Sequence, residues 1–301
     1  MKEFLKGIYY KIQQPKLKRD YQPSFGFIFH TERIYHTDTF QALLNFCSRY
    51  QQITGKRPLC VVMSPLNKRV KSEMNNVQFS LNDFADRLTT LAVVSDIGYH
   101  GHFWRGESDY NLPQNQVLSS NFMQPDSGLI DKQFTDDYAW LKIFTFVQPY
   151  YSGGWWFVNP TLLNKLEREG IIADFSFSYL NWVSNDWTKS LMKQKGICFG
   201  ESFQINTDKS NRDLTCVQTL MGCTNTNYPH DFIRILNGYL DSNKEPHGMI
   251  STHDYDLVEN SKFNRAIQLI EYLSEIKNIS FLSAEELIQK PGLKEKQRIQ
   301  L

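Results

Sequence analysis

The chain has 301 residues, 41% of them hydrophobic and 22% charged, with a formal net charge of +1. That composition belongs to a globular protein, and the length fits either two average domains or one α/β barrel. The near-zero charge offers no global field toward nucleic acid or an anionic membrane, and no apolar run approaches the roughly 20 residues that a membrane-spanning helix needs.

The first segment, residues 1–22, carries Lys2, Lys6, Lys11, Lys16, Lys18 and Arg19, while Phe4, Leu5, Ile8, Tyr9 and Ile12 share a helical stripe. The stripe is expected to pack on the main domain, the alternative being a peripheral contact with a membrane surface. The start lacks an apolar h-region and a small-residue cleavage site, so no secretory signal is read there. Cys47, Cys60, Cys198, Cys216 and Cys223 are odd in number and contain no C-x-x-C pair. A reducing, cytoplasmic setting is the expectation, with Cys60 and Cys198 as small core residues in strand-like runs.

Ser24 to His30 is an apolar strand. Thr37 or Asp38 is placed to cap a helix through Phe40, Leu43, Leu44 and Cys47, which Gly55 and Pro58 close. Leu59 to Met63 is a second buried strand, Asn82 or Asp83 opens a helix through Phe84, Leu88 and Leu91, and Val93 to His102 is the next strand. Later come a helix from Pro160 to Gly170 and strands at Ile171–Ser176, Ile197–Phe199 and Leu214–Leu220. A helix from Pro229 to Leu240, a strand from Gly248 to His253 and a helix through Phe263, Ile267, Ile270 and Leu273 follow. A strand at Ile279–Leu282 and a helix Ala284–Ile288 capped by Ser283 complete the pattern. Continuous apolar strands alternating with helices predict a parallel sheet covered by helices. Arg105 to Lys132 and Ser184 to Asn211 are polar and read as long loops over one mouth. The expected organisation is one barrel domain over residues 23–290, flanked by the segment 1–22 and a basic tail, 291–301.

Strand residues two apart share a face, so His100 and His102 can aim at one site, and neutral imidazole is a common metal ligand. His253 ends a strand beside Asp254 and Asp256, a placement suited to a general acid. Asp256 reads better as a cap on the following helix. His30 and Glu32 lie at the end of the first strand, where Glu32 can ligate a metal through oxygen and His30 can act as a base. Tyr150 to Trp156 is a glycine-flexed aromatic turn whose rings can stack on a sugar or, equally, lie buried under the barrel. No P-loop, G-x-G-x-x-G, G-x-S-x-G or H-E-x-x-H motif is present.

Three blocks in order carry a resemblance. Asp96-Ile-Gly-Tyr-His100-Gly-His102 resembles the H-E-I-G-x-H segment of polysaccharide deacetylases, the carbohydrate esterase family 4 related to chitooligosaccharide deacetylases. Gly153-Gly-Trp155-Trp156 through Gly170-Ile-Ile-Ala-Asp174-Phe-Ser176 is similar to a Gly-Trp turn, helix and strand of divergent members. Ile250-Ser-Thr-His253-Asp254-Tyr255 looks like the family's closing strand.

The resemblance implies a distorted TIM-like (β/α)7 barrel and a divalent metal, usually zinc, held by an aspartate and two histidines, with a neighbouring aspartate as base and the late histidine as acid. Carried over, Glu32, His100 and His102 are the metal ligands, His30 stands at the base position, and His253 with Asp254 supplies the acid. Trp104, Tyr151, Trp155, Trp156 and Asp174 are the candidates for the sugar site. The family's T-F-D-D-G becomes Ile28-Phe29-His30-Thr31-Glu32 here, Trp104 stands where the second metal histidine is expected, and Gln148-Pro149-Tyr150 stands where an arginine is. A histidine base gains nothing from a neighbouring guanidinium, so losing the arginine together with the aspartate is coherent.

The function so implied is a cytoplasmic, metal-dependent deacetylase. Its substrate would be an acetamido sugar, or a lipid- or nucleotide-linked glycan precursor of surface polysaccharide. The alternative is a catalytically inactive barrel acting as a glycan-binding or scaffold protein, and a third possibility is another barrel metallohydrolase such as a phosphoesterase.

Overall fold

The computed structural model describes residues 16–18, 20–104, 107–111, 127–178, 186–207, 213–223, 229–239, 242–290 and 298–300. The amphipathic stripe from Phe4 to Ile12 and most of the basic tail lie outside the described residues. The order begins β1 (Ser24–Thr31), α1 (Thr37–Thr54), β2 (Leu59–Val62), α2 (Lys68–Asn76), α3 (Leu81–Val94), β3 (Asp96–Gly101) and α4 (Ser127–Leu141). It continues with β4 (Val147–Gly153), α5 (Pro160–Arg168), β5 (Ala173–Asp174), α6 (Asp186–Gln194), β6 (Phe203–Asn206), β7 (Leu214–Cys216) and β8 (Thr219–Gly222). Then follow α7 (Pro229–Tyr239), β9 (His247–His253), α8 (Asn260–Ser274), β10 (Ser280–Phe281), α9 (Ala284–Gln289) and β11 (Arg298–Gln300).

The sheet order is β11-β6-β7-β5-β4-β3-β2-β1-β9-β8, with β10 beside the start of β1. Its pairs are parallel except β6 with β7. β7 and β8 are halves of one bent segment, the first pairing with β5 and the second with β9. Val217 and Thr219 donate to the carbonyls of Asp174 and Phe177, and Met249 donates to that of Gln218. That segment links the β8 end of the order back to β7, leaving β6 and β11 outside the ring. With it counted once, β1, β2, β3, β4, β5, β7–β8 and β9 make the seven strands expected of a distorted (β/α)7 barrel.

Alternation along the strands sorts side chains into two layers. Ile28, Leu59, Val61, Tyr150, Ala173, Val217 and Met249 fill the interior, and α9 plugs it with Ala284 and Leu287. Gly98 keeps β3 thin there, because a Cβ would lie 2.9 Å from the Tyr150 carbonyl and 3.1 Å from a Val61 methyl. On the outer face Phe27 and Phe29 pack on Phe46 of α1 with ring centroids 5.2 and 5.1 Å apart. α1 meets them because Phe40, Leu43, Phe46, Cys47 and Tyr50 recur at helical spacing. Gly55 ends that helix at φ 69°, donating to Gln51.

Local corrections have local causes. α1 is entered through His36 with no side-chain cap, so neither Thr37 nor Asp38 caps it. α3 is capped by Ser80, which forms a reciprocal capping box with Asp83. The Ser283 cap on α9 is present as expected, with Glu286 completing the box. The stretch expected to be loop before Lys132 gives way to α4 from Ser127, and the later polar stretch contains α6 and β6. Ile197 to Phe199 is not a strand but the turn after α6, and Cys198 is only half-buried there. Beyond residue 290, Arg298–Gln300 adds a strand beside β6.

Candidate metal centre

Parallel register builds the site at the carboxyl ends of the strands. His30 on β1 aligns with His253 on β9, and His100 on β3 aligns with Ser152 on β4. Each of these lies two residues beyond an inward-facing core position (Ile28, Ser251, Gly98, Tyr150), so all four turn toward the barrel axis. Glu32 follows β1 directly. Its Oε1 lies 3.4 Å from His102 Nε2, 3.7 Å from His100 Nε2 and 3.9 Å from His253 Nε2. One ligand atom each from Glu32, His100 and His102 lies within 4.8 Å of the others.

This group fits a divalent cation. His100 Nδ1 lies 2.8 Å from the Ser152 carbonyl, which can only accept, so Nδ1 carries a proton and Nε2 is the ring nitrogen turned toward Glu32. That Nε2, and both ring nitrogens of His102, are shielded from water without a hydrogen-bond partner. Burial holds the His102 pKa at about 4, so its imidazole is neutral near pH 7. Burial opposes ionisation of Glu32, but its contacts with His100 and His102 and the nearby charges outweigh that and hold the carboxyl well below the usual range. An ionised carboxylate and two imidazoles make a borderline N/O donor set of the kind that open catalytic sites use.

His102 is held from both sides. Its ring stacks on Trp104 at 4.5 Å and 10°. A Cβ on Gly154 would lie 2.1–2.3 Å from the ring atoms, so the residue beneath it has to be glycine. Trp104 is buried and backs that ring. Arg69 of α2 spans Glu32 (3.7 Å) and Glu73 (2.9 Å), with its guanidinium 5.7 Å over the Trp104 ring.

His253 is partnered by Asp256, whose Oδ2 lies 3.8 Å from Nδ1. Burial lowers the imidazole pKa, but Asp256 and Glu32 outweigh it and leave it above the ordinary value. Asp256 also binds Lys262 at 3.0 Å and falls to about 2. A 3-10 turn over Asp254–Val258 brings position 256 back onto the ring, so the capping role expected of Asp256 is corrected. Asp254 sits elsewhere. It is fully buried, raised to about 7 by that burial, and accepts from the backbone N–H of Arg33 at 2.7 Å and of Tyr255 at 2.9 Å. It fixes the backbone after Glu32.

His30 is buried beneath this group, stacked on His100 at 4.5 Å and 24°. It also meets the rings of His253 and Trp156, each at 5.3 Å. Its Nε2 lies 3.1 Å from the Ser152 hydroxyl. Burial, and then His100 beside it, push its pKa well down.

A cavity of about 230 Å³ opens over Glu32, His102 and His253. Its walls include Arg33, Arg69, Tyr255, Trp155 and Trp156. A larger one, about 670 Å³, lies at the opposite end of β1 around Ser24, Ser280 and Lys290 and contains none of the histidines discussed. Trp155 and Trp156 both adopt left-handed backbone, φ 55° and 52°, which costs about 1–3 kcal/mol per residue. In exchange Trp155 is 47% exposed at the rim.

Three expected sugar contacts are not brought to the cavity, Trp104 among them, buried behind the His102 ring. Tyr151 alternates out of the barrel and is buried against Tyr99 and Phe134. Asp174 is buried with its Oδ1 held by the Ser176 backbone and hydroxyl, while Ser176 Oγ accepts from Gly153 N–H at 2.7 Å. It braces the turn that carries the tryptophans.

No family model matches the chain, and no curated protein matches it in sequence. Solved structures do. A 4-alpha-glucanotransferase from Thermococcus litoralis is similar with a TM-score of 0.55 at 12% identity, over 93% of this chain and 42% of that one. A putative polysaccharide deacetylase from Mycobacterium smegmatis is similar with a TM-score of 0.55 at 8% identity, over 92% and 93%. Puue allantoinase is similar with a TM-score of 0.51 at 9% identity, over 92% of each chain. At such identities the likeness is one of fold, the TIM-like α/β barrel.

Proposed function

We propose that this protein is a metal-dependent hydrolase that removes an acetyl group from an acetamido sugar or a lipid- or nucleotide-linked glycan precursor. The observation that carries this reading is the convergence of Glu32, His100 and His102 within 4.8 Å at the carboxyl ends of the strands, beside a fourth imidazole, His253. Zinc is the metal we favour for two imidazoles and a carboxylate. When bound it supplies Lewis acidity toward the acyl oxygen and makes water a better nucleophile.

The chain's own residues do the rest. Glu32, His100 and His102 hold the ion, His100 being oriented by the Ser152 carbonyl. His253, kept protonated by Asp256, donates to the leaving amine. His30, kept neutral by burial and with its Nε2 3.1 Å from the Ser152 hydroxyl, is our candidate for the proton acceptor. Trp155 and Trp156 offer aromatic faces to a sugar ring, and Trp104 acts through His102. Tyr151, Asp174 and Asp254 are positioning residues. We place the reaction in the cytoplasm on a biosynthetic intermediate, with any membrane contact peripheral. Among the described residues no helix is long and apolar enough to cross a bilayer.

The test is metal content and acetate release together. Purified protein is expected to carry about one divalent ion per chain and to release acetate from a panel of acetylated amino sugars and their phosphate-linked forms. His100→Ala should lose both. Protein free of metal would favour the second reading, a glycan-binding barrel, for which the exposed Trp155 speaks. Bound metal without acetate release would point to a different metallohydrolase.

A further inference from the structure

We propose that Arg33, with Arg69 beside it, forms an oxyanion subsite in the wall of this cavity, so that the substrate carries a phosphate or carboxylate next to the group acted on. The proposal rests on the hydrolase reading for its substrate, but the subsite itself stands on three observations.

First, Arg33 Nε is shielded from solvent without a hydrogen-bond partner, and Arg33 has no ion pair among the described residues. A buried guanidinium nitrogen left so is costly unless something else binds it. Second, the nearby carboxylates are engaged elsewhere. Glu32 faces the imidazoles and Arg69, Asp254 accepts backbone N–H groups, and Asp256 holds His253 and Lys262. Glu73, which also feels the Arg33 charge, is bound by Arg69 and Tyr35, so no acid among the described residues pairs with Arg33. Third, the guanidinium is preset. It lies 5.1 Å over the Tyr255 ring, which stacks on His253 at 4.8 Å and 23°. The layers Arg33, Tyr255 and His253 therefore set the cation at a fixed offset from the candidate acid. Arginine suits the task because its planar fork matches the oxygens of a phosphate or carboxylate. A bound divalent ion would make the cavity more positive still.

Inorganic phosphate is the first probe, titrated calorimetrically into the protein as purified and into Arg33→Gln, Arg33→Lys and His100→Ala. Saturable binding is expected, weakened about tenfold or more in Arg33→Gln, the loss expected for a charged hydrogen bond. It should weaken less in Arg33→Lys, which keeps the charge but not the fork, and persist in His100→Ala. Metal content should be unchanged in both Arg33 variants. Absent binding, or equal affinity in wild type and the Arg33 variants, overturns the subsite. Binding lost in His100→Ala but kept in Arg33→Gln would put the phosphate on the metal and also overturns it. Arg33→Lys decides alone if Arg33→Gln melts before wild type. Glucose 6-phosphate and glucuronate, with glucose as the neutral control, then separate the two sources of the oxyanion, and a site that prefers neither to glucose is not an anion site. Metal-free wild type that still binds phosphate through Arg33 would sink the hydrolase reading while leaving the subsite standing.

Discussion

At the residue scale, the proposed proton chemistry of the site rests on the His253–Asp256 pair. Asp256 raises the imidazole pKa above its ordinary value against the opposing effect of burial. An acid must be protonated to act, so activity is lost as pH rises through that pKa. Removing the carboxylate should bring the loss to lower pH. Asp256→Asn is therefore expected to shift the alkaline limb of the pH–rate profile for acetate release downward by about one unit, since a nearby opposite charge commonly moves a pKa by 1–3 units. An unmoved limb would mean that His253 is not the acid. The sequence displays both acids beside His253, and neighbour counting favours Asp254. The backbone decides otherwise, because the 3-10 turn returns position 256 to the ring and spends Asp254 on main-chain N–H groups. His100 and His102 were legible as candidate ligands because strand alternation is a local rule, and Glu32 as one from its place just past the first strand. Arg69, Ser152 and Gly154 were not, since their importance comes from what other elements bring to them.

Elements meet at a buried acid outside the metal cavity. Asp137 of α4 accepts from Asn67, which caps α2, at 3.1 Å and from Tyr99 of β3 at 3.4 Å. Asn67 also donates to the His102 carbonyl at 3.0 Å, so this junction supports a candidate metal ligand from behind. Burial raises Asp137 from 3.8 to about 7. The folded state thus binds more protons than the unfolded chain between those values, and stability falls as pH rises from about 4 to about 7. Asp137→Asn keeps the acceptor and removes the ionisation. It should be more stable than wild type at pH 8, by roughly 2–4 kcal/mol as an upper range, and near parity at about pH 4 and below. Urea unfolding at the two pH values measures it, and parallel stability curves would refute the assignment. α2 and α4 escaped sequence reading for a related reason. α2 buries only Val70 and Met74, too thin a stripe for periodicity to register, and α4 begins inside a polar stretch.

Ring closure makes the site at the scale of the whole molecule. The bent β7–β8 segment pairs with β5 and then β9, bringing β9 beside β1 and His253 beside His30. An ion that binds only the folded barrel stabilises it by mass action. Chelation is therefore expected to lower the melting temperature by a few degrees, corresponding to roughly 2–3 kcal/mol at about a hundredfold excess over Kd. His100→Ala should melt alike with and without chelator, and a chelator-insensitive wild type would argue against a resident metal. Alternating strands and helices, and the histidines at strand ends, are written in the sequence, because hydrophobic periodicity and the period of two act over neighbours. The sequence alone thus determined a helix-covered parallel sheet and most of the candidate ligands. Tertiary structure alone decided that Glu32 meets the imidazoles, that Asp256 rather than Asp254 partners His253, that Tyr151 and Asp174 turn away, and that Arg33 lies at the wall. Those are distances between strands far apart in the chain, set by register and closure, which local patterns do not encode.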